Sequence, residues 1–215
     1  MINDKKKPVP AKDKQKEKDL ESEGIFIIQN GAPEVNSRTI GLFGDVGEQT
    51  CAEVVSNLIA LTKMGEIPKD ERKDKYTHEP IEFYVNTHGG SASDMFAIYD
   101  MMRQVRKQCE IQTIGIGKIM SAGVLILAAG TKGKRKIGAN ARVMIHSVLG
   151  GTDGPLFNIE NEIDEIKFVQ QAYSKALIKE TNLTPKVMKD LLEQHVNIYL
   201  SAEEAVKYGI ADEVI

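Results

Sequence analysis

The sequence lacks tryptophan and contains only two cysteines among its 215 residues. Cys51 and Cys109 are far apart and show no metal-ligand spacing, so we expect buried free thiols in a reducing compartment and no disulfide framework. No apolar run approaches the roughly 18 residues of a membrane-spanning helix. The basic N-terminus is followed by further charge and not by the apolar segment of a signal peptide. These absences predict a cytoplasmic protein.

A strong charge of one sign is also missing. The formal net charge is -3, which favours neither nucleic acid nor an anionic membrane as the main partner. Residues 1–23 contain almost nothing apolar and are predicted to form a disordered charged tail, with a removable pro-segment or an ATPase-facing loop as the alternative. The remaining residues, 24–215, have enough apolar content for one domain with a core.

Strands and helices alternate along this domain. Apolar runs predict strands at 24–28, 38–43, 81–86, 111–117, 141–146 and 212–215. Capping patterns and apolar stripes predict helices that begin near Thr50, Ser91, Ala122, Leu156, Pro185 and Ser201. The methionine-rich stripe of the helix from Ser91 is predicted to be core packing. The helix from Leu156 is predicted to extend to about Glu180, with Tyr173 in its apolar stripe. Residues 66–80 are predicted to be an exposed loop. The pattern is typical of an α/β fold, in which the chemistry gathers at the carboxyl ends of the strands.

Three predicted loops at that edge carry candidate site residues. Ser121 lies between a buried strand and a helix, where its hydroxyl and the next amide can serve as nucleophile and oxyanion donor. His146 alone of four histidines ends a predicted buried strand, and Gly90 belongs to a glycine pair whose backbone can approach a ligand closely. On these residues alone, a helix-capping serine and a structural histidine remain the commoner interpretations.

Six motifs, taken together in their order along the chain, favour the catalytic interpretation of Ser121 and His146. They are Asn86–Gly90, Gly117–Gly123, Ala128–Arg135, Arg142–His146, Leu149–Gly151 and Tyr199–Gly209. No single motif is specific, but the combination closely resembles the proteolytic subunits of the Clp protease (ClpP) family from about residue 38 to residue 215.

The resemblance implies a ClpP/crotonase-like α/β fold of repeated strand-strand-helix units, with a protruding handle helix in the region of about 152–181. It implies a serine-type endopeptidase in which Ser121 is the nucleophile, His146 is the general base, and the amides of Gly90 and Ala122 form the oxyanion hole. It also implies a homo-oligomer, a heptamer or a tetradecamer of two rings, that encloses unfolded polypeptide substrates. No metal or cofactor is expected in this chain, because ATP would be used by a separate AAA+ unfoldase.

One departure from the family pattern concerns the catalytic triad. Asn197 occupies the position of the usual third member, an aspartate. Its amide oxygen can accept a hydrogen bond from the imidazole but supplies no charge, and this replacement cost about 10⁴ in turnover in one well-studied protease. A nearby carboxylate, Glu193 or Asp190, is the candidate substitute. Val196 replaces an arginine that the family uses between rings.

Other departures concern the surroundings of the site and the partners. His88 replaces a proline beside the proposed oxyanion loop, which makes it a candidate modulator. In the expected unfoldase-docking pocket Tyr84 matches the family, whereas Glu82 and Gln104 replace apolar or aromatic residues. The sequence therefore predicts an altered or absent unfoldase partner.

Three alternative functions stay open. The chain could be a weakly active or inactive ring subunit that assembles with another ClpP, as Asn197 suggests. It could be a crotonase-type acyl-CoA enzyme, which shares the oxyanion architecture but usually relies on glutamates in the pocket. It could also resemble the Ser-Lys signal-peptide peptidase, with Lys118 or another lysine as the base, although the motif around His146 argues against this.

Overall fold

The structure is a computed structural model that describes residues 38–193 and 197–215, except for the side chain of Glu193. The predicted tail at 1–23, the predicted strand at 24–28 and Val196 lie outside the described residues. The corresponding predictions therefore stay predictions.

Seven strands and six helices alternate along most of the described chain. The strands are β1 (Thr39–Phe43), β2 (His78–Thr87), β3 (Cys109–Met120), β4 (Lys136–Ile137), β5 (Arg142–Ile145), β6 (Ile198–Leu200) and β7 (Glu213–Val214). The helices are α1 (Glu48–Leu61), α2 (Ala92–Val105), α3 (Ala122–Ala128), α4 (Leu156–Glu180), α5 (Pro185–Glu193) and α6 (Ala202–Lys207). The predicted α/β fold is confirmed.

The sheet is largely parallel, and β3 is its longest strand. The main order is β1-β2-β3-β4-β7, and all of these neighbours run parallel. On its second edge β3 pairs with β4 through Ile114 and Gly115, and then with β5 from Lys118 to Met120. Gly117 lies at this change of partner with φ +66°, a conformation that favours glycine. The carboxyl half of β3 therefore runs beside β5, which brings the ends of the two strands together.

Helices α2 and α3 bury apolar faces in the core. The methionine stripe predicted to be core packing is confirmed, because Met95 and Met102 are buried together with Ile98 and Val105. All seven residues of α3 are buried. Since this helix begins at Ala122, its burial fixes the position of its first turn at the end of β3.

The long helix α4 has the predicted bounds but two different halves. Its C-terminal half buries Tyr173, Ala176 and Leu177 against the core. Its N-terminal half exposes large apolar side chains, which are Leu156, Phe157, Ile163 and Phe168. Only the C-terminal half therefore packs on the domain, as the predicted projecting helix requires.

Local details differ from the sequence predictions at several points. The capping box predicted at Thr50 is wrong: α1 begins at Glu48, and the Thr50 hydroxyl donates to the carbonyl oxygen of Asp45. The capping box at Ser201 is confirmed. Strand β3 continues through Gly117 to Met120, and the short strands β4 and β6 were not predicted. Short strands of two or three residues depend on their neighbours and leave little periodic pattern in the sequence.

Cys51 and Cys109 are both buried free thiols, as predicted. Within the described residues, no helix is both long enough and apolar enough to cross a membrane.

Candidate active site

The candidate catalytic residues line one cavity at the carboxyl edge of the sheet. The cavity has a volume of about 400 Å³. Its wall includes Gly90, Ser121, Ala122 and His146, together with His88 and Tyr173. These residues follow the ends of β2, β3 and β5, except for Tyr173, which lies in the C-terminal half of α4. The fold therefore brings together four of the five predicted site residues.

Ser121 has a strained backbone conformation. With φ +53° and ψ -118°, it is the one non-glycine residue with positive φ in the described ranges. Such a conformation costs about 1–3 kcal/mol and concentrates at functional sites. The Ser121 N–H donates to the carbonyl of Met144 at 2.8 Å, which ties the turn to β5. The side chain makes no capping hydrogen bond to α3, so the capping interpretation does not explain this serine.

Two backbone amides at the cavity are available as donors. The N–H of Val46 donates to the carbonyl of Gly89, and the N–H of Ser91 donates to the carbonyl of Val46, each at 2.8 Å. Within the part of the chain that the structure describes, the N–H of Gly90 between them has no intramolecular acceptor. The N–H of Ala122 opens α3 and also lacks one, as first-turn amides do.

Gly89 and Gly90 have no room for a side chain, because the loop that carries them contacts the Ser121 turn and Val46 closely. A Cβ atom at Gly89 would lie 2.6 Å from the Cβ of Ser121, and a Cβ atom at Gly90 would lie 2.1 Å from the carbonyl oxygen of Val46. Gly90 also has φ +150°. The pair therefore lets the loop lie directly against the serine turn, and Gly90 lines the same cavity as Ser121.

Tyr173 is a member of this site that the sequence analysis assigned only to the apolar stripe of α4. Its hydroxyl donates to the carbonyl oxygen of Ser121 at 3.0 Å. That carbonyl and the N–H of Ala122 belong to one planar peptide unit and point in opposite directions. The tyrosine therefore fixes the peptide whose N–H is the candidate oxyanion donor. Burial raises the pKa of Tyr173, which keeps the hydroxyl protonated.

His146 has a defined tautomer. Its Nδ1 forms a hydrogen bond with the carbonyl oxygen of Ser147. A carbonyl only accepts, so Nδ1 carries the proton and Nε2 is left with the lone pair of a base. Across the described residues there is no direct hydrogen bond between Ser121 and His146, a geometry common in catalytic pairs without substrate.

Asn197 is not brought to this cavity. The residue is exposed, does not line the cavity and takes part in no hydrogen bond within residues 38–193 and 197–215. Its proposed position beside Nδ1 is taken by the carbonyl of Ser147. Of the two candidate substitutes, Asp190 is exposed on α5, and the side chain of Glu193 is not described. The role of Asn197 therefore stays a prediction.

The remaining predicted residues divide between the cavity and the surface. His88 lines the cavity, whereas Lys118 does not, so the geometry gives no support to a lysine base. Glu82 and Gln104 are exposed, and Tyr84 is half-buried on β2. Polar side chains are thus accessible where the family resemblance led us to expect an apolar docking pocket.

The fold and the cavity define the class: an α/β protein with a candidate acyl-transfer site at the carboxyl edge of a parallel sheet. A family model described as Clp protease matches residues 32–215. The chain therefore belongs to the Clp protease family, which confirms the resemblance read from its motifs. Membership makes it a protease in the general sense, in a family whose members are generally oligomeric and work with Clp unfoldases.

Proposed function

We propose that this chain is a serine endopeptidase that cleaves unfolded polypeptides through Ser121 and His146. The observation that carries the proposal is the convergence of a strained serine, a histidine with a free Nε2 and two unpaired amides on one cavity. Nucleophile, base and oxyanion donors are the parts that acyl transfer requires.

In the proposed reaction, Nε2 of His146 accepts the proton of the Ser121 hydroxyl while Oγ attacks the peptide carbonyl. The oxyanion that forms accepts hydrogen bonds from the amides of Gly90 and Ala122. The protonated His146 then donates its proton to the leaving amine. A water molecule, deprotonated by the same nitrogen, hydrolyses the acyl-enzyme and restores Ser121.

Among the described side chains no carboxylate is hydrogen-bonded to His146, which should reduce turnover but not abolish it. An Asp→Asn change in a triad is costly because the amide selects the wrong imidazole tautomer. The Ser147 carbonyl accepts only, so it selects the productive tautomer here. It supplies no full negative charge for the imidazolium, and the loss should therefore be smaller than the roughly 10⁴ of that precedent.

The assembly is part of the same proposal. The exposed apolar side chains on the N-terminal half of α4 fit a handle that pairs with another subunit in heptameric rings, one or two of them. Such rings would enclose the cavity in a cytoplasmic chamber. The proposed chemistry uses only groups of this chain, and ATP would be consumed by a separate AAA+ unfoldase. The polar residues Glu82 and Gln104 favour a partner with an altered docking loop.

Hydrolysis of a short fluorogenic peptide by the assembled protein tests this function. We expect turnover that falls to background in Ser121→Ala and in His146→Ala, with the native mass of the assembly unchanged. Turnover that persists in Ser121→Ala would assign the activity to another residue or to a contaminant.

A second candidate function is a weakly active or inactive ring subunit that assembles with an active homologue. Asn197 is exposed and does not line the cavity, which favours this function. Under this hypothesis the chain alone shows no peptide turnover but enters mixed rings with a catalytic ClpP, which native mass spectrometry of the mixture would detect.

A further inference from the structure

A basic cleft lies at the opposite edge of the sheet from the candidate active site. Six of its nine lining residues are cationic and one is a carboxylate, around a volume of about 640 Å³. The cations are Lys75, Arg103, Arg106, Lys107, Lys132 and Lys134. They come from the loop before β2, the end of α2 and the turn after α3, so three segments that are distant in sequence converge on one cleft.

This concentration of charge is not a general property of the protein, whose formal net charge is -3. Arg106 is neutralised by the buried Glu180, and Lys134 lies 3.6 Å from the cleft's single carboxylate, Glu110. In the described ranges the other four cations have no carboxylate within 4 Å. Positive charge that is not neutralised internally creates an attractive potential for anions.

The four remaining cations contact weak partners. Lys107 donates to the side-chain oxygen of Gln104 at 2.6 Å, and Lys132 donates to the carbonyl of Lys179 at 3.4 Å. Lys75 lies over the ring of Tyr76, 5.1 Å from its centroid, and Arg103 lies over Tyr99. Contacts of this kind can be exchanged for a charge-assisted hydrogen bond to an anion.

The frame beneath these side chains is held firmly. Arg106 donates to both carboxylate oxygens of Glu180 and to the carbonyl of Gly130, which joins α2, α4 and the turn after α3. The carboxylate of Asp212 accepts from the backbone N–H of Gly133 and of Arg135, which fixes the turn that carries Lys132 and Lys134. The backbone of the cleft is therefore preorganised, while its lysine ammonium groups remain adjustable.

We propose that this basic cleft binds a small ligand with a chain of phosphates. Several positive charges around one concavity match an anion with several charges along a short chain, and the guanidinium of Arg103 can bind phosphate oxygens in a bidentate manner. Tyr76 lines the cleft beside Lys75, which offers a ring for a nucleobase. An inorganic polyphosphate and a nucleoside triphosphate share this chemistry, and an acidic peptide is the competing outcome.

The basic cleft is distant from the candidate active site. Glu110 is near the amino end of β3, and Ser121 follows its carboxyl end. At the rise of an extended strand the two ends are up to about 36 Å apart. A ligand in the cleft therefore does not occupy the substrate cavity, and its binding can be measured without any proteolytic assay.

Titration calorimetry of the full chain with tripolyphosphate at low ionic strength tests the proposal. We expect binding that weakens steadily as salt is added. The double variant Lys107→Glu/Lys132→Glu should weaken it about tenfold, since each exposed charge contact contributes up to about fivefold. Lys186, on α5, is also exposed, and Lys186→Glu is the matched control that should bind like the wild type.

Glu110→Gln provides a change in the opposite direction. Removal of the one carboxylate in the cleft should tighten tripolyphosphate binding severalfold, an effect that misfolding cannot imitate.

Titration with ATP distinguishes the two phosphate sources. If a nucleobase stacks on Tyr76, Tyr76→Ala should weaken the binding of ATP and leave the binding of tripolyphosphate unchanged.

The proposal is overturned if tripolyphosphate does not bind at low ionic strength. It is also overturned if Lys186→Glu weakens binding as much as the double variant does. Binding of hexaglutamate in the absence of tripolyphosphate binding would instead assign the cleft to an acidic peptide.

Discussion

The Tyr173 hydroxyl offers a specific perturbation of the proposed oxyanion hole. Tyr173→Phe removes one oxygen atom and leaves the ring, which is 4% exposed, in its place in the core. The lost hydrogen bond is the 3.0 Å contact to the Ser121 carbonyl. That oxygen keeps its bond from the N–H of Val124 at 3.0 Å, so no buried acceptor is left unpaired.

The expected cost to folding is therefore small, and the expected cost to catalysis is larger. Loss of one hydrogen bond with its acceptor still satisfied should lower the free energy of unfolding by about 1 kcal/mol. Complete removal of an oxyanion donor costs about 10²–10³ in kcat. Here the Ala122 N–H remains but the peptide that carries it is held less firmly at a strained residue. We expect a loss of roughly tenfold in kcat with KM little changed.

Steady-state hydrolysis of a short fluorogenic peptide measures this effect, with thermal unfolding measured on the same samples. Tyr99→Phe is the matched control, because Tyr99 is also 4% exposed and its hydroxyl donates at 3.0 Å to Glu180, away from the cavity. This control should lose stability and keep kcat. Equal kcat values for Tyr173→Phe and wild type, or equal losses in both variants, would refute the positioning role of Tyr173.

Three further predictions follow from the same geometry. Gly90→Ala places a Cβ atom 2.1 Å from the Val46 carbonyl oxygen and should lower kcat at least about 10²-fold; Gly138→Ala, where the nearest atom is 3.7 Å away, should keep it. Asn197→Asp should change kcat/KM by less than about threefold, since Asn197 is exposed and outside the cavity; a gain of 10² or more would show that its side chain reaches His146. Burial alone would raise the pKa of Glu180, but hydrogen bonds and charge from Arg106 and a bond from Tyr99 hold it below the ordinary 4.5. The stability that this pair contributes is therefore complete above pH 4.5 and lost as pH falls through the folded pKa. Glu180→Gln should lower the free energy of unfolding at pH 7 by about 3 kcal/mol. It should also weaken the fall of that free energy at acid pH, as measured by denaturant titrations at several pH values. An unchanged pH dependence in the variant would contradict the assignment.

The sequence predicted the parts of the fold that leave a periodic pattern. Helix α4 has the predicted bounds, Leu156–Glu180, because its apolar stripe is long and continuous. The positions of Ser121 and His146 were also predictable, since parallel strands end at one edge of the sheet. Such predictions need only the order and type of the elements.

Features that depend on contacts distant in sequence were not predictable in the same way. The continuation of β3 beyond Gly117 depends on pairing with β5, and the role of Tyr173 depends on a hydroxyl that reaches a carbonyl 52 residues away. The carbonyl of the next residue, Ser147, accepts a hydrogen bond from His146, whereas the role expected of Asn197 stays a prediction. Backbone acceptors carry no signature in the side-chain sequence.

Labelling with a fluorophosphonate tests the central claim most directly, because this reagent reports an activated serine independently of peptide specificity. We predict a single labelled peptide that contains Ser121, no labelling in Ser121→Ala, and strongly slowed labelling in His146→Ala, in samples whose folding is confirmed by circular dichroism. A folded, assembled protein that is not labelled at Ser121 would contradict the account.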